Sequence, residues 1–379
     1  MNPTRAEINL SRLEHNFNEI RKHVGKKAGR IKICGVVKAN AYGHGIDRIS
    51  TKLIDLGCDY LGVANYDEAI RLRKLIPEAN ILVFGTLIHS KLEPDKYVRL
   101  LHRNNLIATI ASLDTARFLN DYSTRFRNRF KVHIEVDTGM RRIGFDFRRA
   151  VSNIEKIACM KNLELEGIYT HFATAEGKDK RFALLQLERF HDVLNGLRKK
   201  GIHFPVVHAA NSGAILDLKD SYFNMIRPGI LLYGYYPSKS VKNKLHLKPV
   251  MNFKSKITYI KRVGRGESIS YGRKYFTRKD IFIGSIPVGY GDGYRRLLSN
   301  RSRVLIRKKF YRQVGAITMD WIMAELGERY TVKIGDDVLL MGEENGYNLG
   351  ADKLASICGT IPYEILCSVS ERVERVYIN

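Results

Sequence analysis

Eight short, β-rich apolar runs, each divided from the next by a stretch long enough for a helix, constrain this chain more than any other feature. They are Ile31 to Val37, Tyr60 to Ala64, Asn80 to Phe84, Leu106 to Ile110, Lys131 to Val136, Leu163 to Tyr169, Pro205 to Ala209 and Met225 to Tyr233. Between them Asp67 to Leu75, Ala111 to Asn120, Phe147 to Ala158 and Phe182 to Arg198 repeat apolar residues at helical spacing. Alternation of this kind builds parallel sheets, because a parallel partner strand needs a crossover connection. Eight units in series predict an α/β fold, a (β/α)8 TIM-type barrel. An open doubly wound sheet would show the same alternation, since periodicity counts elements without showing closure.

After about residue 240 the long helical stretches stop. Phe253 to Val263, Ile281 to Val288, Arg303 to Ile306, Trp321 to Leu326 and Val338 to Met341 follow as β-runs, with short helices over Ala351 to Cys358 and Tyr363 to Val369. The expected division is a barrel over 1–240 and a mostly-β C-terminal domain over 241–379, and 379 residues suffice for two cores.

Composition removes several classes of function. No run of 18 apolar residues occurs, and the polar N-terminal stretch with Leu13, Phe17 and Ile20 has no export-signal core, so a cytoplasmic protein is expected. Five scattered cysteines, none in a CxxC pair, read as reduced thiols that mostly pack, and no metal is expected. The charge of +25 would suit a polyanion partner. Its clusters, Arg125 to Arg129, Arg295-Arg296 and Lys308-Lys309, belong to no nucleic-acid module, and a solvated basic surface is the plainer reading.

Barrels place reactive groups just past the C-terminal ends of their strands. Here the first run ends in Lys38, the fifth in Asp137 and the arginines after it, the sixth in His171, the seventh in Asn211-Ser212-Gly213, and the eighth carries Arg227-Pro228-Gly229-Ile230. A lysine there is costly to bury unless its pKa falls, and a lowered pKa is what covalent attachment to an aldehyde requires. Seen alone, Lys38 is equally a surface loop lysine and Gly229 a turn glycine. Together with Ser212, at the ends where barrels commonly bind phosphate, they imply a phosphate-bearing cofactor.

At this point the segment Val36-Val37-Lys38-Ala39-Asn40-Ala41-Tyr42-Gly43-His44-Gly45 resembles the cofactor-attachment segment of the alanine racemase family, whose cofactor is pyridoxal 5'-phosphate. The likeness continues through Asp137 to Met140, Thr170 to Ala173, Ala210 to Gly213, Arg227 to Ile230, Ser270 to Gly272, Gly289 to Gly293, Thr318 to Asp320 and Tyr363 to Ile365, essentially the whole chain. It implies a racemase that interconverts L- and D-alanine by two-base proton transfer, supplies D-alanine for peptidoglycan, and works as a homodimer with shared active sites. It also implies the roles. Lys38 holds the cofactor and serves as one base, and Tyr271 of the partner subunit serves as the other. Tyr42, Ser212, Tyr363 and the backbone of Gly229 and Ile230 hold the phosphate beside Asn211. His171 lies near the ring and bonds Arg227, which faces the pyridine nitrogen. Arg142 and the Met319 backbone hold the substrate carboxylate, with Asp320 beside Met319, while Tyr290 and Tyr363 narrow the entrance.

Two positions depart from the family pattern. Arg141-Arg142 stands where Gly-Arg is usual, and register with Ile143-Gly144 favours Arg142 as the site arginine. Glu135 stands where many members carry a carbamylated lysine paired with that arginine, and its permanent carboxylate is expected to substitute for it. The rival readings are a racemase of serine or another small amino acid, a decarboxylase of the same architecture, which would place a carboxylate where Arg227 stands, and a non-catalytic cofactor carrier, which would lack Tyr271 and Met319.

Overall fold

The computed structural model describes residues 3–25, 31–86, 94–125 and 129–379; residues 126–128, in the middle of the basic run Arg125 to Arg129, lie outside these. The chain begins with β1 (Arg5–Asn9) and a helix over Leu10–Val24, capped by the Asn9 side chain accepting the Arg12 N–H at 2.8 Å. Leu10, Leu13, Phe17 and Ile20 form its buried face.

The barrel follows as β2 (Lys32–Val36), β3 (Tyr60–Val63), β4 (Ile81–Thr86), β5 (Ile107–Ile110), β6 (Phe130–Asp137) with the two-residue β7 (Phe145–Asp146) at its side, β8 (Leu163–Tyr169), β9 (Val206–His208) and β10 (Met225–Ile226). Two pairings exclude the open sheet: β5 lies parallel to β6, and β10 returns to β2 with Met225 beside Lys32. The ring of eight parallel strands is therefore closed. The crossover helices Tyr66–Leu75, Leu113–Tyr122, Phe147–Ala158 and Arg181–Lys199 lie within two residues of the expected spans.

The last predicted run is shorter than expected. Pro228 has no N–H to give a ladder, and the chain leaves the strand there and folds into a turn, with Leu232 donating to Gly229 O at 2.9 Å. Pro228 O still accepts the Val36 N–H at 3.0 Å, so Gly229 stays beside the end of β2.

The second sheet comprises β11 (Met251–Lys256), β12 (Tyr259–Val263), β13 (Ile281–Ile286), β14 (Arg303–Ile306), β15 (Lys309–Val314), β16 (Ile322–Gly327), β17 (Asp337–Glu344), β18 (Tyr347–Leu349) and β19 (Glu374–Ile378). The run Phe253 to Val263 is two strands, because at Ile257 and Thr258 the backbone exchanges partners, Ile257 N bonding Asp336 O and Thr258 N bonding Ser285 O. The expected domain division needs one correction. β1 does not belong to the barrel: it lies in the second sheet, antiparallel to β11 and parallel to β19. Its alternation of Ala6 and Ile8, fully buried, with Arg5 and Glu7, partly exposed, is that of a half-buried strand. No helix among the described residues is long and apolar enough to cross a membrane, and all five cysteines are free thiols.

Because β1 joins β11 to β19, removing apolar volume there should loosen both. Ile8→Ala is expected to lower stability by about 2–5 kcal/mol, read as a shift of the urea unfolding midpoint.

Candidate active site

Past the C-terminal ends of the barrel strands opens a cavity of about 460 Å³, within the usual range for a small-molecule site. Lys38, Tyr42, Glu135, Arg142, His171, Asn211, Ser212, Arg227, Gly229 and Tyr363 all line it, ten of the residues the sequence reading nominated. Burial lowers the pKa of Lys38, and the nearby Arg142 lowers it further. Ser212 Oγ accepts the Gly229 N–H at 3.0 Å, and the Asn211 side chain caps the following short helix at Ala214 N. A Cβ on Gly229 would lie 2.6 Å from the Tyr42 hydroxyl, so a side chain there would displace that phenol. Burial raises the pKa of both the Tyr42 and Tyr363 phenols, leaving them protonated donors. Their rings sit 5.8 Å apart. A reactive amine beside a cradle of hydroxyl donors fits a phosphate-bearing aldehyde cofactor.

Lys38 and Tyr42 are carried on one strained turn. Ala39, Asn40, Ala41 and Tyr42 have φ of 52°, 53°, 54° and 52°, a left-handed conformation that costs roughly 1–2 kcal/mol for each ordinary residue. Hydrogen bonds hold it. The buried His44 Nδ1 lies 3.0 Å from the carbonyls of both Ala41 and Tyr42, and Asn40 Oδ1 accepts the Ile46 N–H at 2.8 Å. At Gly43, φ is 81° and a Cβ would meet Leu366 O at 2.4 Å, so the residue closing the turn must be glycine.

Arg227 is buried and fixed by short bonds to His208 Nδ1 (2.7 Å), Thr170 O (2.9 Å) and Ala209 O (3.0 Å), with a longer one to His171 Nδ1 (3.4 Å). Sequence reasoning missed what lies behind it. His208 Nε2 reaches His133 Nδ1 at 2.9 Å, and His133 Nε2 reaches Glu166 Oε2 at 3.1 Å. Burial, reinforced by the Arg227 charge, lowers the pKa of His208; burial also lowers that of His133. With both rings neutral, one arrangement satisfies every atom: Arg227 donates to His208, His208 to His133, and His133 to the Glu166 carboxylate. Although burial works to raise it, His133 and Lys131 hold the Glu166 pKa below its ordinary value. The only sequence signal was the presence of polar residues inside strands buried on both faces.

Glu135 is buried, lines the cavity and accepts the Tyr169 hydroxyl at 2.9 Å. Tyr169 in turn stacks on His208 at 4.7 Å. Burial pushes the Glu135 carboxyl up to about 7, with Arg227 and Arg142 opposing the rise through space. Of the two adjacent arginines Arg142 lines the cavity, whereas Arg141 pairs with Asp146 at 3.0 Å.

The remaining nominated residues do not line this cavity. Ile230 is fully buried in the core. Tyr271, Met319 and Tyr290 are 74%, 52% and 44% exposed on the second sheet's loops. Tyr290 N bonds Thr318 O, Gly291 N bonds Met319 O, and Ser270 Oγ bonds Ala316 O at 2.7 Å, so the three loops form one group. Asp320 is tied to Arg372 at 2.7 Å. Leu297 and Trp321 are also exposed on these loops.

Fold and site together define a barrel enzyme built to carry a phosphate-bearing aldehyde on a lysine. Comparison with known proteins narrows this. Residues 8–237 match the family described as alanine racemase, N-terminal domain, and residues 250–377 match alanine racemase, C-terminal domain. The chain is 44% identical over 377 residues to alanine racemase 2 of Caldanaerobacter subterraneus subsp. tengcongensis, covering 99% of this chain and 95% of that one. It is 41% identical to the alanine racemase of Halothermothrix orenii, covering 100% and 97%. A solved alanine racemase of Clostridium difficile 630 superposes with a TM-score of 0.92 at 38% identity, covering 99% and 96%. The chain belongs to the alanine racemase family, whose members are pyridoxal-phosphate-dependent isomerases.

The buried carboxyl of Glu135 has a measurable consequence. Between its ordinary value of 4.5 and about 7, the folded chain keeps a proton that the unfolded chain has released. Stability therefore falls as pH rises through that window, by roughly 3 kcal/mol. Glu135→Gln cannot ionise, so in cofactor-free protein its stability relative to wild type should increase from about pH 4 to about pH 8. A pH-independent difference in urea unfolding would contradict this.

Proposed function

We propose that this chain interconverts L-alanine and D-alanine by moving the α-proton between two bases on opposite faces of the substrate, Lys38 of one copy and Tyr271 of another. The observation that carries this reading is Lys38 itself, an amine with a lowered pKa in a cavity that also holds the phosphate-fitting hydroxyls. Tyr42, Ser212, Tyr363 and the backbone of Gly229 and Ile230 would hold the phosphate, with Asn211 fixing the Ser212 turn. Arg227 would face the pyridine nitrogen, with His171 beside the ring. Pyridoxal phosphate, when bound, supplies the electron-withdrawing group that makes the α-proton of an attached amino acid acidic.

The protein's own groups then divide the work. The lowered pKa of Lys38 enlarges the fraction of free amine near neutral pH, so Nζ can take a proton from the α-carbon on its side or return one. Tyr271 Oη does the same on the other side. Arg142 and the Met319 backbone N–H orient the carboxylate, Asp320 steadies the Met319 loop through Arg372, and Tyr290 with Tyr363 restricts the entrance to a side chain as small as alanine's. Glu135 stands where relatives use a modified lysine, but its carboxyl, held by the Tyr169 hydroxyl, becomes a charge toward Arg142 only as pH rises through about 7, so it is not the permanent carboxylate expected from its residue type. A guanidinium donates hydrogen bonds and does not accept protons. Arg227 therefore leaves the base it faces unprotonated, which favours prompt return of the proton by Lys38 or Tyr271 over transamination or decarboxylation.

The exposure of Tyr271, together with Tyr290, Leu297, Met319 and Trp321 on the same loops, supports a homodimer in which these loops enter the partner's cavity. Barrel residues 1–240, apart from β1, then carry the cofactor together with Tyr363 of the same chain, and the exposed loops of 241–379 complete the other copy's site. The cellular role is supply of D-alanine for peptidoglycan in the cytoplasm, with nucleic acid no part of it despite the charge.

Two experiments test this reading. Lys38→Ala should lose both the visible cofactor band and alanine racemisation, and Tyr271→Ala should keep the band and lose racemisation. Refolding the two variants together in equal amounts should restore about one quarter of wild-type activity, since half of the symmetric dimers then have one intact site of two; no recovery would exclude shared sites. Arg227→Glu should lower racemisation at least tenfold and increase pyruvate formed per turnover. An unchanged ratio would remove the role given to Arg227.

A further inference from the structure

We infer that Glu68 is a positioning residue for Lys38, its carboxylate pinning the strained turn that begins immediately after the lysine. This inference rests on the racemase reading. The β2–β3 ladder ends where Val37 N donates to Gly62 O at 2.9 Å. The next N–H pointing the same way is that of Ala39, but β3 has already ended at Val63. Glu68, on the helix Tyr66–Leu75, fills the gap. Its Oε1 accepts the Ala39 N–H at 2.7 Å and its Oε2 accepts the Ala64 N–H at 2.9 Å. One carboxylate thus joins the residue after Lys38 to the residue after β3.

The helix is placed to present that carboxylate. Asn65 caps it by accepting the Glu68 N–H at 2.9 Å, which fixes the first turn and aims the Glu68 side chain back toward the strand ends. The residues Glu68 restrains are those least able to hold themselves, since Ala39 to Tyr42 have the left-handed conformation that side chains disfavour. Lys38 would hold the cofactor's aldehyde and Tyr42 its phosphate, so movement of this one turn misplaces both ends of the ligand. The same carboxylate acts on Lys38 through space, raising its pKa against the lowering from burial and Arg142; Cys367 also raises it and Arg227 also lowers it. Glu68 therefore contributes position and charge separately.

Two variants separate these contributions. Glu68→Gln has one acceptor oxygen for two N–H groups and no charge; Glu68→Asp keeps the charge but shortens the reach. Pyridoxal 5'-phosphate is titrated into cofactor-free full-length protein, following its visible band, and the rate of attachment is measured against pH. Both variants should weaken cofactor binding by about tenfold or more. Only Glu68→Gln should shift the attachment profile to lower pH, because only it removes the neighbouring charge; a purely structural role would leave the profile in place. Wild-type affinity with an unshifted profile in Glu68→Gln overturns the inference. Should neither variant fold, amide exchange in the wild-type holoenzyme decides. Protection of Ala39 and Ala64 equal to that of the barrel strands supports the pin, and rapid exchange at both overturns it. A wild-type chain that binds no pyridoxal 5'-phosphate overturns the racemase reading and this inference with it, whereas normal wild-type binding matched by both variants overturns this inference alone.

Discussion

Closure of the barrel is the constraint on which the rest of the molecule depends. The pairings of β5 with β6 and of β10 with β2 turn a row of parallel strands into a ring, and a ring forces the ends of strands remote in sequence to converge. Lys38 follows β2, Glu135 lies near the end of β6, His171 follows β8, Ser212 follows β9 and Arg227 follows β10. These residues span nearly 200 positions of chain yet line one cavity. In an open sheet the first and last of them would stand apart. The closed interior also shelters the row from Arg227 through His208 and His133 to Glu166, whose members come from four different strands or strand ends.

The features legible in the sequence were those with local signatures. Strand-helix alternation pointed to the barrel, the residues just past the ends of the runs included Lys38, His171 and Ser212, and the eighth run carried Arg227 and Gly229. Register favoured Arg142 over Arg141, and Arg142 is the one that lines the cavity. Features depending on partners far away in the chain were not legible. Tyr169, His133 and Glu166 sit within strands and look like isolated polar intrusions until other strands supply their partners. β1 could not be assigned to a sheet, because its neighbours lie about 250 and 370 residues later. β15 and β19 carry charged residues on their exposed positions, which broke the apolar runs used to recognise strands.

The left-handed turn shows how strain is contained at such a site. Several of its peptide groups are engaged: Gly43 N donates to Ala39 O, Gly45 N to Asn40 O, and Arg375 Nε to Gly43 O at 3.1 Å. The last of these comes from β19, so the second sheet braces the barrel's site from outside. Tyr363 reaches the same cavity from the helix Pro362–Cys367. The two parts of one chain are therefore coupled at the cofactor cradle irrespective of what a second copy contributes.

The placement of β1 between β11 and β19 also sets a timetable during synthesis. The ribosome releases the N-terminus first, and every strand of the barrel, ending at Ile226, emerges before Met251 opens the first partner of β1. The other partner, β19, opens only at Glu374, later still. A barrel that folds as it emerges does so with β1 still unpaired, an invitation to mispairing. β1 is only five residues long and places Arg5 and Glu7 along one side, features that discourage pairing with a stranger. A short, charged leading strand disfavours early commitment until β11 and β19 are available to complete the sheet.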